Sequence, residues 1–404
     1  MTDRPLRVCI VTTSFPRWLN DSRGTFILEA ARALQAKGLQ VRVVAMHSPG
    51  AQTHEIWDNL EIFRPRYLWP DRLEILQKEA GGLPVMWRKS WLARLSVIPF
   101  LLAHILGVIR HAQGCDVIHC NWTLSAIAAW LGSWVHRRPM VVTVQGSDIY
   151  QAPSFAPVRV MTRLALNGMG RVLTLSRSLA EATAALGIAP DRITILPNGV
   201  DTNLFRPAAI EREPMLLFVG SLIERKGVAT LIKAMHAVSP YFPEHRLVLA
   251  GDGPQQPMLE NLARELGEAE RVVFLGAQSQ PQVADLMRRA RIFVLASVEE
   301  GLGVVLLEAL ASGTPCVASN VGGIPDIVTP SVGVLVPPAD VTALAAAIRQ
   351  LLADPQQIEA MRQSARQRAL ERFSWSSIAE RLLSIYADVI RSASAPRPPF
   401  ERSQ

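Results

Sequence analysis

Short apolar runs recur along the chain, each followed by a longer stretch whose apolar positions return every three or four residues. "RVCIVTT" (7–13), "QVRVVAM" (40–46), "DVIHCNW" (116–122), "PMVVTVQG" (139–146), "RVLTLS" (171–176) and "RITILPNG" (192–199) are compact and rich in Val and Ile. That is the pattern of strands covered on both faces. Helical stretches lie between them, such as "GTFILEAARALQAKG" (24–38), which ends on a Gly suited to a C-terminal cap. The alternation then restarts with "MLLFVGS" (215–221), "HRLVLAGDG" (245–253), "RVVFLGA" (271–277), "RIFVLAS" (291–297), "TPCVASNVGG" (314–323) and "GVLVPP" (333–338). Such alternation predicts parallel sheets with helices on both faces. Two series predict two doubly wound α/β domains. The Pro-rich, aperiodic stretch "PNGVDTNLFRPAAIEREP" (197–214) marks the join. The expected domains are therefore 1–207 and 208–375, followed by a helix over 376–391 that can cross back to the first domain, and a disordered tail over 392–404.

Composition narrows the class. The 404 residues exceed one ordinary core and suit two domains. Apolar content of 49% and charged content of 19% belong to a globular chain. The first apolar run is too short for a signal peptide and reads as a strand. The longest one, "LSVIPFLLAHILGVI" (95–109), carries Pro99 and His104 and falls short of the roughly 20 residues of a spanning helix. No transmembrane segment is expected. Cys9, Cys115, Cys120 and Cys316 form no CxxC pair, so reduced, buried thiols in a cytoplasmic protein are expected. Cys115, His119 and Cys120 match no zinc spacing, and no metal site is expected. Charge is uneven. Residues 1–207 hold 23 Lys and Arg against 14 Asp and Glu (+9), and the remainder holds 19 against 21 (−2), which sum to the net +7. A basic first half points to an anionic surface or partner, with solvated charge as the plain alternative.

In open parallel sheets, ligands bind outside the C-terminal ends of the strands. The Gly-rich and polar loops after the strands are thus candidates to line a central cleft faced by both sheets. In "VGSLIERKGVATLIKAM", Gly220 permits a turn, and Arg225 and Lys226 precede a helix N-terminus, where backbone N–H groups and the dipole already favour anions. This is a diphosphate cradle or a solvated loop with two cations. In "SVEEGLGVVLLEALASGTP" (297–315), Glu299 and Glu300 follow a strand, Gly301 and Gly303 follow them, and a helix starts near Val304. Glycines allow a ligand close to the backbone, and the first N–H groups of the helix can hold phosphate oxygens. Glu308, one turn into this apolar helix, could accept hydrogen bonds from the vicinal diol of a ribose, as carboxylates do in dinucleotide folds. The alternative is that it reaches solvent along a small-residue stripe with Gly301 and Ser312. Glu300 would reach beyond the phosphate to whatever it carries. In the first domain, Gly24 marks a helix start, and Gly146, Ser147 and Asp148 end a strand as a hydroxyl-binding loop or a helix cap. The dinucleotide fingerprint GxGxxG is missing.

These segments together resemble a retaining glycosyltransferase of GT-B fold, in family 4 (glycosyl transferase group 1), of the exopolysaccharide or teichuronic-acid type. The matching pieces run nearly end to end: "GTFILEAARAL", "DVIHCNW", "VTVQGSD", "LPNGVDTNLFRP", "FVGSLIERKG", "LAGDGP", "VVFLG" and "EEGLGVVLLEALASGTPCVASNVGGIPDIV". The last holds the family's paired glutamates, eight apart, as Glu300 and Glu308. The resemblance implies two Rossmann-like domains, the first for acceptor and the second for donor. It also implies transfer of a sugar from a UDP- or GDP-sugar substrate, with no cofactor and no bound metal. Carried over, Glu308 binds the ribose and Glu300 the donor sugar. Arg225 and Lys226 neutralise the diphosphate, amides around Gly303 and Val304 hold its terminal phosphate, and Gly24 approaches it from the other domain. Gln145, Gly146 and Asp148 line the reaction centre. Catalytic roles fall to Glu300, Asp148, Arg225 and Lys226.

Three positions depart from the family pattern. Ser221 stands where Arg is frequent, with Arg225 to supply that charge. Gln145 and Asn121 stand where His is frequent, and Gln can hydrogen-bond a hydroxyl but cannot carry a proton. The acceptor expected from the resemblance is a glycan or lipid-linked glycan. "LPVMWRKSWLARLSVIPFLLAHILGVIRHA" (83–112) is basic and aromatic, then apolar; Trp87, Arg88, Lys89, Trp91 and Arg94 form a candidate membrane-surface patch, against the alternative of ordinary covering helices. It would place the chain at the inner face of the plasma membrane. Other readings are a sugar-nucleotide 2-epimerase and a catalytically silent GT-B subunit. No nucleic-acid module is present.

Overall fold

The computed structural model describes residues 4–19, 21, 23–77, 86, 90–150 and 156–394. The chain forms two compact units. One comprises the chain up to Leu175, Ala180–Leu196 and the chain from Ala379 onward; the other comprises Ser176–Leu179 and Pro197–Ile378.

The first unit holds β1 (Arg7–Thr12), α1 (Thr25–Ala36), β2 (Gln40–Ala45), β3 (His54–Trp57), β4 (Leu60–Phe63), α2 (Trp91–His111), β5 (Val117–Asn121), α3 (Thr123–His136), β6 (Met140–Val144), α4 (Ser147–Tyr150), α5 (Ala156–Asn167), β7 (Arg171–Thr174), the greater part of α6 (Arg177–Ala185) and β8 (Ile193–Ile195). Its sheet has the order β3-β4-β2-β1-β5-β6-β7-β8. All neighbours are parallel except β3 and β4. The central strand β1 is covered on both faces, with Val8 to Val11 essentially inaccessible. The pair β3–β4 is a hairpin that the apolar runs do not announce. Its strands mix in His54, Glu55 and Glu61, and its turn sets Asp58 and Asn59 at φ 49° and 66°. Positive φ at both central positions matches the twist of a two-residue hairpin.

The second unit holds β9 (Met215–Val219), α7 (Val228–Val238), β10 (Arg246–Ala250), α8 (Gln256–Glu265), β11 (Val272–Gly276), α9 (Gln280–Arg289), β12 (Ile292–Leu295), α10 (Val304–Ala311), β13 (Cys316–Ser319), α11 (Ile324–Ile327), β14 (Gly333–Val336), α12 (Val341–Ala353) and α13 (Pro355–Arg368). Its six strands are all parallel in the order β11-β10-β9-β12-β13-β14. Counted from β9, that is the doubly wound order 3-2-1-4-5-6, which reverses direction between its first and fourth strands. The chain path therefore opens a crevice beyond the C-terminal ends of β9 and β12.

The last helix, α14 (Trp375–Ser394), begins in the second unit and joins the first from Ala379. There Tyr386 is fully buried, its hydroxyl 2.6 Å from His119 Nδ1. This helix runs on to Ser394, past the start of the tail expected from 392, and 395–404 lie outside the described residues. Helix α2 differs more from expectation. It runs six residues beyond the apolar stretch, and Pro99 sits inside it. By length and composition, with a mean hydropathy of 2.0, it could cross a membrane. One face, however, is packed into the unit through Ala93, Phe100, His104 and Val108, so it lies along the domain.

Candidate active site

The two loops at the reversal point of the second sheet meet. The loop after β9 passes through Ser221 and Arg225 to Lys226; the loop after β12 passes through Ser297 to Glu300. Lys226 Nζ donates to Glu300 Oε2, with the side chains only 14% and 10% exposed. Glu300 also accepts from Ser297 Oγ at 3.4 Å and, through Oε1, from its neighbour's Gly301 N–H at 3.2 Å. The backbones are stitched as well: Val298 N–H donates to the Arg225 carbonyl at 2.8 Å. Two glycines allow close approach here, Gly227 between these two loops and Gly322, in the loop after β13, against Glu300. Gly227 has φ 64°, and a Cβ on it would stand 2.0 Å from the Ala296 carbonyl oxygen; Gly322 has φ 54°, and its Cβ would stand 1.7 Å from that of Glu300. Ser221 and Arg225 carry exposed side chains at the mouth of the loop.

Helix α10 starts beside this pair. Its N-cap is Gly303, and no side chain caps it. The leading amides, from Val304 on, thus keep the capacity for an anion that an unsatisfied helix start provides. Gly303 has φ 82°, which favours glycine, and a Cβ there would stand 3.1 Å from Leu306. Glu308 is partly exposed. Burial of the carboxyl pushes its pKa from an ordinary 4.5 up to about 7, against a hydrogen bond with Gln280 that pulls it down. Among the described residues no cation is placed to pair with it. Along the small-residue stripe, Ser312 is fully buried and Gly301 is partly exposed.

The first unit brings its own candidates together at the ends of β5 and β6. Asp148 Oδ1 accepts the N–H groups of Gln145 and Gly146 at 3.0 Å, and Oδ2 accepts that of Thr123 at 3.0 Å. Burial lifts this carboxyl above its ordinary value while those three N–H groups oppose the rise. Both oxygens are engaged, so Asp148 ties the β6 loop to the start of α3. Gln145 Nε2 donates to Asn121 Oδ1 at 3.4 Å. Gly24 caps α1 at φ 60°, packed against the Ser14 carbonyl. His119 has both ring nitrogens occupied, by Tyr386 and by Thr143 Oγ1 at 2.8 Å. Among the described residues no cluster of three His, Cys, Asp or Glu side chains could hold a metal ion.

Three features escaped the sequence. Trp122, at the end of β5, has φ 66° and ψ 153°, a region nearly reserved for Gly that costs on the order of 1–3 kcal/mol and concentrates at functional sites. His47 Nδ1 pairs with Glu74, both fully buried, and Glu74 Oε1 takes the Tyr67 N–H at 2.7 Å. Arg64, almost inaccessible, reaches the Pro16 carbonyl at 2.9 Å and Glu55. The last two pin loops at the β1 and β2 ends. Their partners are far apart in sequence, which is why only the fold displays them. Trp87, Arg88 and Lys89 of the candidate surface patch lie outside the described residues.

Known proteins resemble this chain in sequence and in fold. Residues 200–368 match the family model for glycosyl transferases group 1, and 24–199 match that for a glycosyl transferase 4-like domain. An uncharacterized glycosyltransferase of Methanocaldococcus jannaschii is 33% identical over 307 residues, covering 70% of this chain and 76% of the relative. Among solved structures, sucrose-phosphate synthase from Thermosynechococcus elongatus superposes with a TM-score of 0.76 at 24% identity, covering 96% of this chain and all of that one. The Anabaena protein HepE, solved in complex with UDP-glucose, gives a TM-score of 0.67 at 20% identity, with 95% and 100% covered. Two doubly wound units of this kind are the GT-B fold, and the chain belongs to the glycosyl transferases group 1.

Proposed function

We propose that this glycosyltransferase moves a sugar, with retention of anomeric configuration and without a bound metal, from a UDP- or GDP-sugar to a glycan or lipid-linked glycan in cell-surface polysaccharide synthesis. The observation that carries the reading is the Lys226–Glu300 contact at the reversal point of the second sheet, beside the uncapped start of α10. Cation, carboxylate and free amides there suit the three parts of a sugar diphosphate. Lys226 and Arg225 face the diphosphate, the amides of Gly303 and Val304 take its terminal phosphate, and Glu300 accepts hydroxyl hydrogens of the sugar. Gly301 and Ser221 border that site. Glu308, which pairs with no cation among the described residues, accepts from the ribose hydroxyls. The UDP-glucose in HepE supports a donor of this chemical type. Gln145 and Gly146 offer polar backbone and amide contacts on the first unit, Asp148 positions that loop, and Gly24 keeps the start of α1 open to an anion.

In the reaction the bond from the anomeric carbon to the diphosphate oxygen breaks as the acceptor hydroxyl attacks from the same face. The acceptor's proton passes to the departing phosphate oxygen, and the nucleoside diphosphate leaves. Lys226, Arg225 and the helix amides stabilise the charge that grows on that group. The enzyme works in the cytoplasm at the inner face of the plasma membrane, touching it through 83–112. A thermal-shift series with UDP-, GDP-, ADP- and dTDP-sugars tests the donor reading, because a ligand stabilises the folded chain by mass action. One base should raise the melting temperature of the native chain and fail to do so for Lys226→Ala. No response to any of the four would sink it.

A further inference from the structure

Among the described residues, none covers the outer face of α2. Ala93, Ser96, Phe100, His104, Gly107 and Val108 turn inward. Between them Trp91, Leu95, Ile98, Leu102 and Leu106 face outward, each 58% to 67% exposed. Their spacing puts them on one stripe, about 22 Å long at ~1.5 Å per residue. Exposed large apolar side chains normally occur singly; a continuous row marks an interaction surface. Helix α3 extends it. A Cβ on Gly132 would stand 3.1 Å from Ile109 of α2, so the last turn of α3 adjoins the end of the stripe. That turn exposes Leu131, Val135 and Trp134, the last at 86%.

Charge borders the same face. Arg110 lies in the last turn of α2, and Arg137 and Arg138 follow α3, all exposed. Asp116 is the only acidic residue between Ala80 and Ser147, and it is bound to Arg4 at 2.5 Å.

We infer that this face seats the protein on an anionic lipid bilayer, with α2 lying in the interface plane and the end of α3 as a second anchor. The charge pattern chooses the occupant. A second copy would bring one rim of arginines against another. Spanning the membrane would pull Phe100 and His104 out of the core. Anionic headgroups over an acyl surface match both the arginine rim and the apolar stripe, and Trp134 suits the boundary between them. The inference rests on the proposed reading only for the presence of a membrane contact. It moves the weight of that contact onto the stripe of α2 and onto α3.

Flotation of the full chain with vesicles of phosphatidylcholine, alone or mixed with phosphatidylglycerol, tests it. The native chain should bind the mixed vesicles at least about tenfold more tightly than the neutral ones, since each cation near an anionic surface contributes measurably. Arg137→Glu with Arg138→Glu should abolish that preference. Leu95→Glu, Ile98→Glu and Leu102→Glu together should abolish binding, with the melting temperature and the sugar-nucleotide response intact because these side chains contact solvent. Should that triple variant fold poorly, Leu102→Gln alone should weaken binding severalfold. Native chain that ignores anionic vesicles, or a folded triple variant that binds as well as the native, overturns the inference. So does a native dimer that the triple variant converts to monomer. Vesicle binding without any sugar-nucleotide response supports the docking face and removes the donor reading instead.

Discussion

Glu308 is the residue whose placement most demands a partner. Its raised carboxyl has a definite sign in stability. Between pH 4.5 and about 7 the folded chain holds a proton that the unfolded chain has lost, so stability falls as pH rises through this window and levels off above it. After allowance for its partial exposure the loss is on the order of 2 kcal/mol. Glu308→Gln removes the titration. Melting curves of the two proteins should lie close together at pH 4.5 and separate by several degrees at pH 8, with the variant higher; parallel curves at all pH values would refute the buried-carboxylate account. The same substitution should weaken donor binding about tenfold at pH 8, because a carboxylate accepts two hydroxyl hydrogens and an amide oxygen serves them less well. Lys226 behaves differently. Removing it leaves Glu300 low in exposure without its cation, which costs a few kcal/mol, and withdraws charge from the leaving diphosphate. Lys226→Ala should therefore lose about 10²–10³ in kcat, read by steady-state kinetics once the donor is identified, and an unchanged kcat would place the charge stabilisation elsewhere.

The elements that present these residues are held by contacts too close for a side chain. Gly322→Ala must move the Glu300 carbonyl, since its Cβ would fall 1.7 Å from that oxygen. We expect a loss of about 2–4 kcal/mol and weaker donor binding. Gly38→Ala is the matched control: its φ is 85°, with nothing within 4 Å of a Cβ, so only backbone strain of about 1 kcal/mol applies and donor binding is unchanged. Urea midpoints for the two variants check this, and equal losses would remove the close-approach argument. Much of this scale was legible. The apolar runs placed twelve of the fourteen strands, all but β3 and β4, because strands buried on both faces admit few polar residues. Helix starts at Gly24 and Gly303 were legible from glycine followed by a periodic apolar stretch. The hairpin β3–β4 was not, since its short strands alternate with polar residues, although Asp58-Asn59 is a turn signal. The extent of α2 was hidden by Pro99 and His104, which break an apolar run without breaking the helix. The Lys226–Glu300 contact joins residues 74 apart, and only the strand order, with β9 beside β12, brings them together.

At the scale of the molecule, the order of the chain makes the two units unequal. The second is nearly continuous, from Pro197 to Ile378, and its sheet needs no strand from elsewhere. The first is interrupted: its sheet is complete by Ile195, yet Leu382, Tyr386 and Val389 of α14 belong to its core. Tyr386 supplies the partner of His119 Nδ1, and Val389 lies where a Cβ on Gly170 would be, 2.5 Å away. Without α14 the His119 side chain, which burial holds neutral with its pKa down to about 4, loses one hydrogen-bond partner and the apolar cover above it. An orphaned buried polar group costs about 1–3 kcal/mol, and each large core side chain removed costs about 2–5 kcal/mol. Their sum rivals the whole stability of a domain. A fragment of residues 197–378 should therefore unfold cooperatively and keep the sugar-nucleotide response, whereas 1–196 alone should lack a cooperative transition and regain one when a peptide of residues 375–394 is added. Calorimetry of the three samples decides the matter. A cooperative 1–196 fragment would mean that α14 rests on the first unit without completing its core, and Tyr386→Phe would then leave the melting temperature of the full chain where it was.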